Sequence, residues 1–458
     1  MAAFSGRMNE PQTTLTSRED RGALRMRLIR GTAGTFALKV ISVCVAFVSS
    51  VVLARIMGAE GLGIYSYAIA WVTLLEIPAR LGLPQVVVRE MAALESRSAW
   101  KEIRGLLLRS SQAALVGSVS VIILAATVSW IFKDKFDSTM LMAFWIALPS
   151  VPLAVFLEVW GAALRALKHV VVSQAPSTLG RPLLFLALVV VGWWATGESF
   201  GPLWVVGFYV MATGVSLLAL GSLLRRRMAR EVQFAAPTFA TNAWARGAGS
   251  FIVLGGLNMI NQQTDILMLG ALSGAEAVGV YRVADRGAEL VLFALLVVNI
   301  VLGPTIARLH AVDDQARLQR VITASARAVI AISLPVALTM IFLGSTVLSV
   351  FGEQFTRGTS ALAILATAQL FNAATGSVVL LLNMTGHERI TAQVVALTAA
   401  LNILLNALFI PRWDIDGAAI ATGISLVMLN TTLMVRVHRK LGIHPTALGR
   451  LSFGRRAT

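Results

Sequence analysis

Twelve long apolar segments are the feature that most constrains how this chain folds. A helix needs about 20 predominantly apolar residues to cross a bilayer. These segments are continuously apolar, whereas transmembrane strands would alternate over about ten residues, so the sequence predicts helices. The predicted spans are 32–54, 61–82, 107–131, 139–164, 171–194, 202–224, 248–272, 277–303, 321–350, 358–382, 391–410 and 415–435.

The composition excludes several other classes of protein. Hydrophobic residues make up 57% of the chain and charged residues 14%, and the mean hydropathy is +0.76. A soluble globular protein carries about 25% charged residues, so a soluble enzyme and a disordered chain are excluded. Cys44 is the single cysteine and cannot form an internal disulfide. The first apolar run has the length of a retained span and lacks a cleavage signal. We therefore expect an all-α polytopic membrane protein.

The location of the basic residues predicts the orientation of the chain in the membrane. The formal net charge is +16. If the N-terminus is cytoplasmic, the cytoplasmic segments hold 27 lysines and arginines and the opposite loops hold 5. This asymmetry predicts that both termini are cytoplasmic, and it explains the basic excess without a nucleic-acid partner. The run 225–227 is interpreted as a stop-transfer anchor, with a lipid-headgroup site as the alternative.

An internal repeat predicts how the spans are grouped. Segment 58–68 matches segment 274–284 at six of eleven positions, with an offset of 216 residues. Both segments lead into an even-numbered span, so each half of the chain would hold six spans in the same orientation. Such parallel repeats are typical of transporters in which two bundles rock about a central cleft. The predicted divisions are an N-terminal segment 1–31, six-helix bundles 32–224 and 248–435, a linker 225–247 and a basic tail 436–458.

Charged residues fall inside the predicted spans, where lipid is a poor environment for them. A charge at the centre of a lipid-facing helix costs about 3 kcal/mol on the insertion scale. Most of these side chains should therefore face the bundle interior, a partner or water. In spans one, two, seven and eight the polar residues share one helix face, which predicts the walls of the cleft. The charged residues are Lys39, Glu76, Arg80, Arg109, Glu158, Arg181, Asp265, Arg282, Asp285, Arg286, Glu289 and Arg327.

The residue types along these walls favour a particular class of ligand. Basic residues outnumber acids by seven to five within the spans, and a mildly cationic cleft suits a phosphate-bearing anion. Polar amides and hydroxyls suit hydroxyl-bearing ligands such as sugars. The candidate substrate-binding residues are Lys39, Arg80, Arg282, Arg286, Asn258, Asn261 and Gln262.

The acids in these spans have two interpretations. Glu76 and Arg80 are spaced for an i,i+4 ion pair, and the eighth span has the spacing for two i,i+3 pairs, Arg282 with Asp285 and Arg286 with Glu289. Asp265 could pair with Lys39 or Arg282, or could bind a coupling cation or proton. The candidates for ion pairs or for a coupling-ion site are Glu76, Asp265, Asp285 and Glu289.

Several kinds of chemistry have no signature in the sequence. The five histidines are scattered, and no His/Cys cluster has the spacing of a metal site. There is no phosphate-binding Gly-rich loop of the ATPase type, and the loops are too short for a catalytic domain. We expect neither enzyme activity nor a cofactor or metal, with an intramembrane transferase built on Glu76 or Asp265 as the minor alternative.

Several motifs resemble one family of membrane proteins. Leu53-Ala-Arg-Ile-Met-Gly-Ala-Glu-Gly-Leu-Gly-Ile-Tyr-Ser-Tyr-Ala68 is similar to the first-loop signature of bacterial polysaccharide flippases, which belong to the multidrug/oligosaccharidyl-lipid/polysaccharide exporter superfamily. The resemblance extends over nearly the whole chain. It continues in 81–90, in 264–269 with 279–284, in 351–355, in 402–406 and in 410–419.

The resemblance implies a two-lobed bundle with spans one, two, seven and eight around a cationic cavity. It also implies translocation of undecaprenyl-pyrophosphate-linked oligosaccharide across the bacterial inner membrane, for lipopolysaccharide or exopolysaccharide synthesis. In that interpretation Lys39, Arg80, Arg282 and Arg286 contact the pyrophosphate or acidic sugars. The implied partners are the lipid-linked substrate, membrane lipids, a polysaccharide polymerase and assembly proteins. Twelve spans differ from the fourteen of relatives that flip the peptidoglycan precursor, so that substrate is disfavoured.

Two alternatives remain open at this point. A cation-coupled multidrug antiporter of the same superfamily would favour an acidic cleft that binds cationic drugs. A non-transporting scaffold for polysaccharide assembly would keep full function after the cleft charges are neutralised. The mildly basic cleft favours the flippase over the antiporter.

Overall fold

Helices make up the fold. The computed structural model describes residues 18–80, 82–135, 137–197, 200–239, 262–447 and 449, with the backbone alone at 18–33, 35, 36 and 135. The helices are α1 Arg18–Arg80, α2 Leu83–Ser96, α3 Trp100–Ile131, α4 Ser138–Ala147, α5 Ser150–Ala166, α6 Val170–Ala175, α7 Arg181–Thr196, α8 Pro202–Arg227, α9 Arg230–Phe234, α10 at 262–272, α11 Ala275–Glu289, α12 Phe293–Ala311, α13 Gln315–Phe342, α14 Gly344–Ser349, α15 Thr359–Ala374, α16 Val378–Met384 and α17 Glu388–Leu441.

Two of the longest helices are each interrupted by one residue outside helical geometry. Gly58 in α1 has φ 69° and ψ −172°, and Asp414 in α17 has φ 50° and ψ −124°. The positive φ at Gly58 is one that glycine adopts without the steric cost of a Cβ atom. Both interruptions fall at the predicted boundaries between spans, one and two in the first case and eleven and twelve in the second. Each long helix is therefore two helices that meet at a sharp bend.

The helices have the length and apolar character of membrane spans. Within the described residues, eight helices are long and apolar enough to cross a membrane, or nine if the bent pair Glu353–Ala374 and Val378–Met384 counts as one span. Each predicted span overlaps helix, and the seventh is described only from residue 262. The prediction of an all-α polytopic fold is confirmed. One predicted cytoplasmic loop, 83–106, instead contains helix α2, which buries Val86, Val87 and Met91 against its neighbours.

The helices pack mainly within two sets, which we call the first-half helices (α1 to α9) and the second-half helices (α10 to α17). In the first half α5 packs on α2, α3 and α8, and in the second half α15 packs on α11, α13 and α17. The main contact between the sets is made by α1 and α11. The segment after α8 lies on α3, where Arg104 donates to the Ala235 carbonyl at 2.7 Å and the Thr238 N–H donates to the Lys101 carbonyl at 3.1 Å.

The repeated segments touch each other where α1 crosses α11. A Cβ atom placed on Gly63 would lie 1.7 Å from the carbonyl oxygen of Ala275. A Cβ atom placed on Gly279 would lie 1.9 Å from the carbonyl oxygen of Ala59. Gly63 and Gly279 are equivalent by the repeat offset, as are Ala59 and Ala275. The two backbones therefore meet in a reciprocal contact that tolerates only glycine at both crossing positions.

Other contacts between the halves lie at the same end of the molecule, which we call the closed end. Arg55 donates to the carbonyl oxygens of Val350 at 2.7 Å and Ser349 at 3.0 Å. The Tyr67 ring fills the space beside Gly270, where a Cβ atom would lie 2.2 Å from the ring. Because these contacts are hydrogen bonds to backbone and close van der Waals packing, they seal the gap between the two sets of helices there.

Candidate functional site

Two adjoining cavities share part of their lining, the first between the two sets of helices and the second within the second-half helices. The first cavity, of about 330 Å³, is lined from α1, α7, α8, α10 and α11, and the second cavity, of about 420 Å³, from α10, α11, α15 and α17. Gln263, Arg282 and Arg286 line both cavities. The two arginines therefore stand at the junction of the cavities, on the helix that also forms the closed end.

The cavities differ in charge. The charged side chains that line the first cavity are Arg181, Arg282 and Arg286, and no described acid joins them. The second cavity has Arg282 and Arg286 but also three acids, which are Asp265, Asp285 and Glu289. The sequence predicts one mildly cationic cleft, whereas the structure separates a cationic cavity from an acidic one. An anionic group therefore finds its best electrostatic environment in the first cavity.

The α11 arginines form the two predicted i,i+3 ion pairs. Arg282 Nη1 lies 3.4 Å from Asp285 Oδ2, and Arg286 Nη1 lies 2.6 Å from Glu289 Oε2. Because a guanidinium has five N–H donors, one carboxylate leaves most of the donors of each arginine available. Asp285 and Glu289 line the second cavity and not the first. The pairs thus hold the arginines in place from one side and leave their other side to the first cavity.

The second-span pair has a different position. Arg80 donates to Glu76, as the i,i+4 spacing predicts. Glu76 is buried and also interacts electrostatically with Arg181. Neither Glu76 nor Arg80 lines either cavity. In this state of the protein the Glu76–Arg80 pair lies among the first-half helices and is not part of either cavity wall.

The other candidate substrate-binding residues differ in where the structure places them. Lys39 is exposed on α1 and lines neither cavity. Gln262 lines the second cavity at the described start of α10. Asn258 and Asn261 lie outside the described residues.

Asp265 is the centre of a buried network of neutral groups. Its carboxylate accepts hydrogen bonds from Tyr281 Oη at 2.9 Å, Asn406 Nδ2 at 2.7 Å and Thr422 Oγ1 at 2.5 Å. Across the ranges the structure describes, no basic side chain forms an ion pair with it, so the predicted pairing with Lys39 or Arg282 is absent there. A carboxylate with neutral donors alone is an uncompensated charge in a low-dielectric site, which makes Asp265 the acid best suited to a small cation or a proton.

Part of this network has unused hydrogen-bonding capacity. Asn406 Oδ1 is buried without a hydrogen-bond partner among the described atoms, as is Ser425 Oγ in the wall of the second cavity. Within the same ranges, no group of three or more His, Cys, Asp or Glu side chains has the arrangement of a metal site. One carboxylate among amide and hydroxyl oxygens instead matches the hard-oxygen preference of an alkali or alkaline-earth cation.

The first cavity also has an aromatic wall that was not singled out from the sequence. Tyr65 stacks on Phe185 with ring centroids 5.6 Å apart, and both rings pack edge-on against Tyr209, at 6.2 and 5.9 Å. Arg181 lies over the Tyr209 ring at 5.4 Å and donates to its hydroxyl at 3.3 Å. The chain has only four tyrosines, and three of them line a cavity. Because tyrosine is so rare in these apolar spans, its positions in the sequence were the available signal for this aromatic wall.

One family profile and two curated proteins match the sequence. The profile, described as polysaccharide biosynthesis protein, matches residues 28–310. Two proteins of Haloferax volcanii are similar to part of the chain. The probable flippase AglR is 26% identical over 175 residues, 38% of this chain and 37% of its own length. The probable low-salt glycan biosynthesis flippase Agl15 is 24% identical over 170 residues, which are 37% of this chain and 36% of its own length. The alignments thus span little more than a third of either relative.

The fold is similar to that of solved transport proteins. An inward-facing multidrug resistance transporter of the MATE family superposes with a TM-score of 0.72 at 12% identity and covers 88% of this chain and 94% of its own. The lipid II flippase MurJ in an inward closed conformation gives a TM-score of 0.72 at 13% identity, with 89% and 87% covered. A transporter from Pyrococcus furiosus, described as having a binding pocket of reverse polarity, gives 0.61 at 14% identity, with 91% and 95% covered. At 12–14% identity, these likenesses show that the chain shares the multi-pass membrane fold of these proteins.

Proposed function

The chain belongs to the polysaccharide biosynthesis protein family, and from this premise we propose that it is a flippase for undecaprenyl-pyrophosphate-linked oligosaccharides. The observation that carries the proposal is the first cavity, where three arginines and no described acid line a space between the two sets of helices. A pyrophosphate is the anionic group common to lipid-linked oligosaccharides, and arginine is the side chain best matched to its geometry. The two similar Haloferax proteins, described as a probable flippase and a probable low-salt glycan biosynthesis flippase, support a flippase role.

The residues have distinct roles in this proposal. Arg282 and Arg286 bind the pyrophosphate from the junction of the cavities, and the amide side chains Asn258, Asn261 and Gln262 bind sugar hydroxyls. Lys39 and Arg80 contact the substrate as it enters or leaves, when the cleft is open more widely. The glycan remains hydrated in the cleft while the polyprenyl chain stays in the lipid, so only the polar part has to cross the apolar layer.

The position of the closed end predicts the side of the membrane to which the cleft opens. The predicted orientation assigns that end to the side of the membrane opposite both termini, so the cleft in this state loads from the cytoplasmic leaflet. Rocking of the two six-helix bundles, 32–224 and 248–435, would open the Gly63–Gly279 crossing and release the glycan on the other side. The proposed location is the bacterial inner membrane, with both termini cytoplasmic and a role in lipopolysaccharide or exopolysaccharide synthesis.

Asp265 is proposed as the coupling site, because it is the acid with neutral partners only in the described network. We expect Asp265→Asn, which keeps the size of the side chain, to remove the dependence of transport on an imposed sodium or proton gradient. Transport is measured in vesicles with each gradient imposed separately. Asp134→Asn, at an exposed turn, is the matched control and should keep the wild-type response. A gradient dependence that survives in Asp265→Asn would contradict the coupling role.

The acidic second cavity favours one alternative, a cation-coupled antiporter of cationic drugs. Binding to the purified protein distinguishes the two functions. We expect undecaprenyl-pyrophosphate-linked oligosaccharide to raise the thermal unfolding temperature in detergent, because a ligand that binds only the folded state stabilises it. Lipophilic cations such as rhodamine 6G should leave that temperature unchanged. The opposite pattern, stabilisation by the cations and not by the glycolipid, would reverse the assignment.

A further inference from the structure

The aromatic wall of the first cavity has the composition of a sugar-binding surface. Tyr65, Phe185 and Tyr209 come from three different helices, α1, α7 and α8, and their rings contact one another as a continuous cluster. Tyr65 and Tyr209 are only partly buried, and all three residues line the cavity. An aromatic face is a good platform for the apolar C–H face of a pyranose, while its polar edge keeps sugar hydroxyls within reach.

The wall also offers a hydrogen-bonding group that has no partner in the described part of the protein. Ser49 Oγ is buried in the cavity wall and has no hydrogen-bond partner among the described atoms. Tyr65 lines the same cavity and lies within electrostatic range of Arg181, Arg282 and Arg286. Buried polar groups are normally hydrogen-bonded, so the Ser49 hydroxyl indicates a polar ligand or water in this part of the cavity.

Arg181 adds a positive charge to this wall without an ion pair of its own in the described structure. Its neighbouring acids are engaged elsewhere, since Glu76 bonds to Arg80 and Glu158 lies 3.7 Å from Arg165. Neither acid lines the cavity. Arg181 follows a π-helical segment, Pro176–Gly180, and such irregular turns are frequent at functional sites. Its guanidinium is held over Tyr209, and it comes from a first-half helix, α7, whereas Arg282 and Arg286 come from α11 in the second half.

We propose that Tyr65, Tyr209 and Arg181 form a subsite for an acidic sugar ring, with the ring on the aromatic wall and its carboxylate on Arg181. The proposal rests on the proposed function, since Arg282 and Arg286 already account for the pyrophosphate. The third arginine of the cavity, Arg181, then remains available to a further negative charge on the substrate. A uronic acid supplies that charge on the ring itself, and a guanidinium pairs with a carboxylate through two parallel hydrogen bonds.

The test compares two polyprenyl-pyrophosphate probes that carry a single glucuronic acid or a single glucose, which differ only in a carboxylate and a hydroxymethyl group. Their affinities are measured on the full-length protein in nanodiscs. We expect the glucuronic acid probe to bind about tenfold more tightly, the size of one charge-assisted hydrogen-bonded contact. Arg181→Gln should bring the two affinities to within about twofold of each other and leave glucose binding nearly unchanged. Arg109→Gln, on the exposed face of α3, is the control arginine and should keep the preference.

The role of the tyrosines is tested by measuring the affinity of tyrosine variants for the same two probes. Tyr65→Ala and Tyr209→Ala should weaken both probes by about fivefold through loss of the stacking surface, whereas Tyr65→Phe should retain most of the affinity. Equal affinity of the wild-type protein for the two probes would overturn the acidic-sugar subsite, and that comparison needs no variant to fold. A preference that persists in Arg181→Gln would also overturn it. If neither probe bound better than polyprenyl phosphate without sugar, the proposed function itself would fall.

Discussion

Replacement of Gly63 or Gly279 by alanine is expected to reduce transport by about tenfold or more, because one added methyl group prevents the two halves from meeting at the closed end. The Cβ atom would lie 1.7 Å from the Ala275 carbonyl oxygen in the first case and 1.9 Å from the Ala59 carbonyl oxygen in the second. Both obstacles are backbone atoms, so a change of rotamer does not relieve the clash. The helices must separate, which lowers the population of the state that loads substrate.

Two readouts separate a failed closure from a failed fold. Transport is measured in vesicles, and the opening of the closed end is measured by the distance between spin labels at positions 60 and 273 in a Cys44→Ser background. We expect longer distances in Gly63→Ala and Gly279→Ala. Gly207→Ala in α8 is the matched control, since a Cβ atom there meets nothing within 4 Å, and its label distances and transport should equal those of the wild type. Unchanged distances in the two crossing variants would show that this contact does not govern closure.

Neutralising the two junction arginines is expected to have the second large effect. Arg282→Gln with Arg286→Gln removes two of the three positive charges that line the first cavity. Each charge-assisted hydrogen bond contributes roughly 1.5–3 kcal/mol, so glycolipid affinity should fall by about a hundredfold or more. Binding of the lipid-linked oligosaccharide is measured on the purified double variant, with Arg109→Gln as the control that lies outside both cavities.

A second pair of substitutions distinguishes anion binding from support of the helix. Asp285→Asn and Glu289→Gln break the same two ion pairs from the acidic side and leave both arginines charged. If the arginines bind the pyrophosphate, this acid variant should keep or increase glycolipid affinity, because the neighbouring negative charges are gone. An equal loss of affinity in the arginine and acid variants would mean that the ion pairs act only by holding α11 in place.

The parts of the fold that the sequence predicts well are those determined by local periodicity. The apolar runs predict the helices, and the boundaries near Gly58 and Asp414 coincide with the two bends in α1 and α17. The i,i+3 and i,i+4 spacings predict the ion pairs of Glu76, Arg282 and Arg286. All of these depend on neighbours within one or two helical turns, for which spacing along the chain is sufficient.

The features that the sequence does not predict depend on which helices face each other. Whether an acid lines the same cavity as Arg282 is decided by packing between α10, α11 and α17, so the division into a cationic and an acidic cavity was not foreseen. Arg181 is one of several arginines inside the predicted spans, and its place in the wall of the first cavity, against Tyr209, distinguishes it from Arg109. Asp265 likewise acquires two of its three neutral partners, Asn406 and Thr422, from α17, which lies 141 and 157 residues away along the chain.

The repeat illustrates how a sequence pattern acquires meaning from the structure. The match between 58–68 and 274–284 predicts two related halves, but it does not say that the repeated glycines touch. In the structure Gly63 faces Ala275 and Gly279 faces Ala59. The repeat relates these two contacts to each other, since it makes the two glycines equivalent and the two alanines equivalent. The pattern therefore encodes a contact as well as a duplication, and a substitution in either copy should act on the same interface.

The central claim, that this protein carries lipid-linked oligosaccharide across a bilayer through the cationic cavity, is tested most directly by a leaflet-translocation assay. The purified protein is reconstituted into vesicles that contain undecaprenyl-pyrophosphate-linked oligosaccharide with a fluorescent label on the glycan. A membrane-impermeant reagent then quenches the label in the outer leaflet. We predict that quenching proceeds to completion with the wild-type protein and stops at the outer-leaflet fraction with Arg282→Gln/Arg286→Gln. Quenching that stops at the same fraction with the wild-type protein as in protein-free vesicles would contradict the claim.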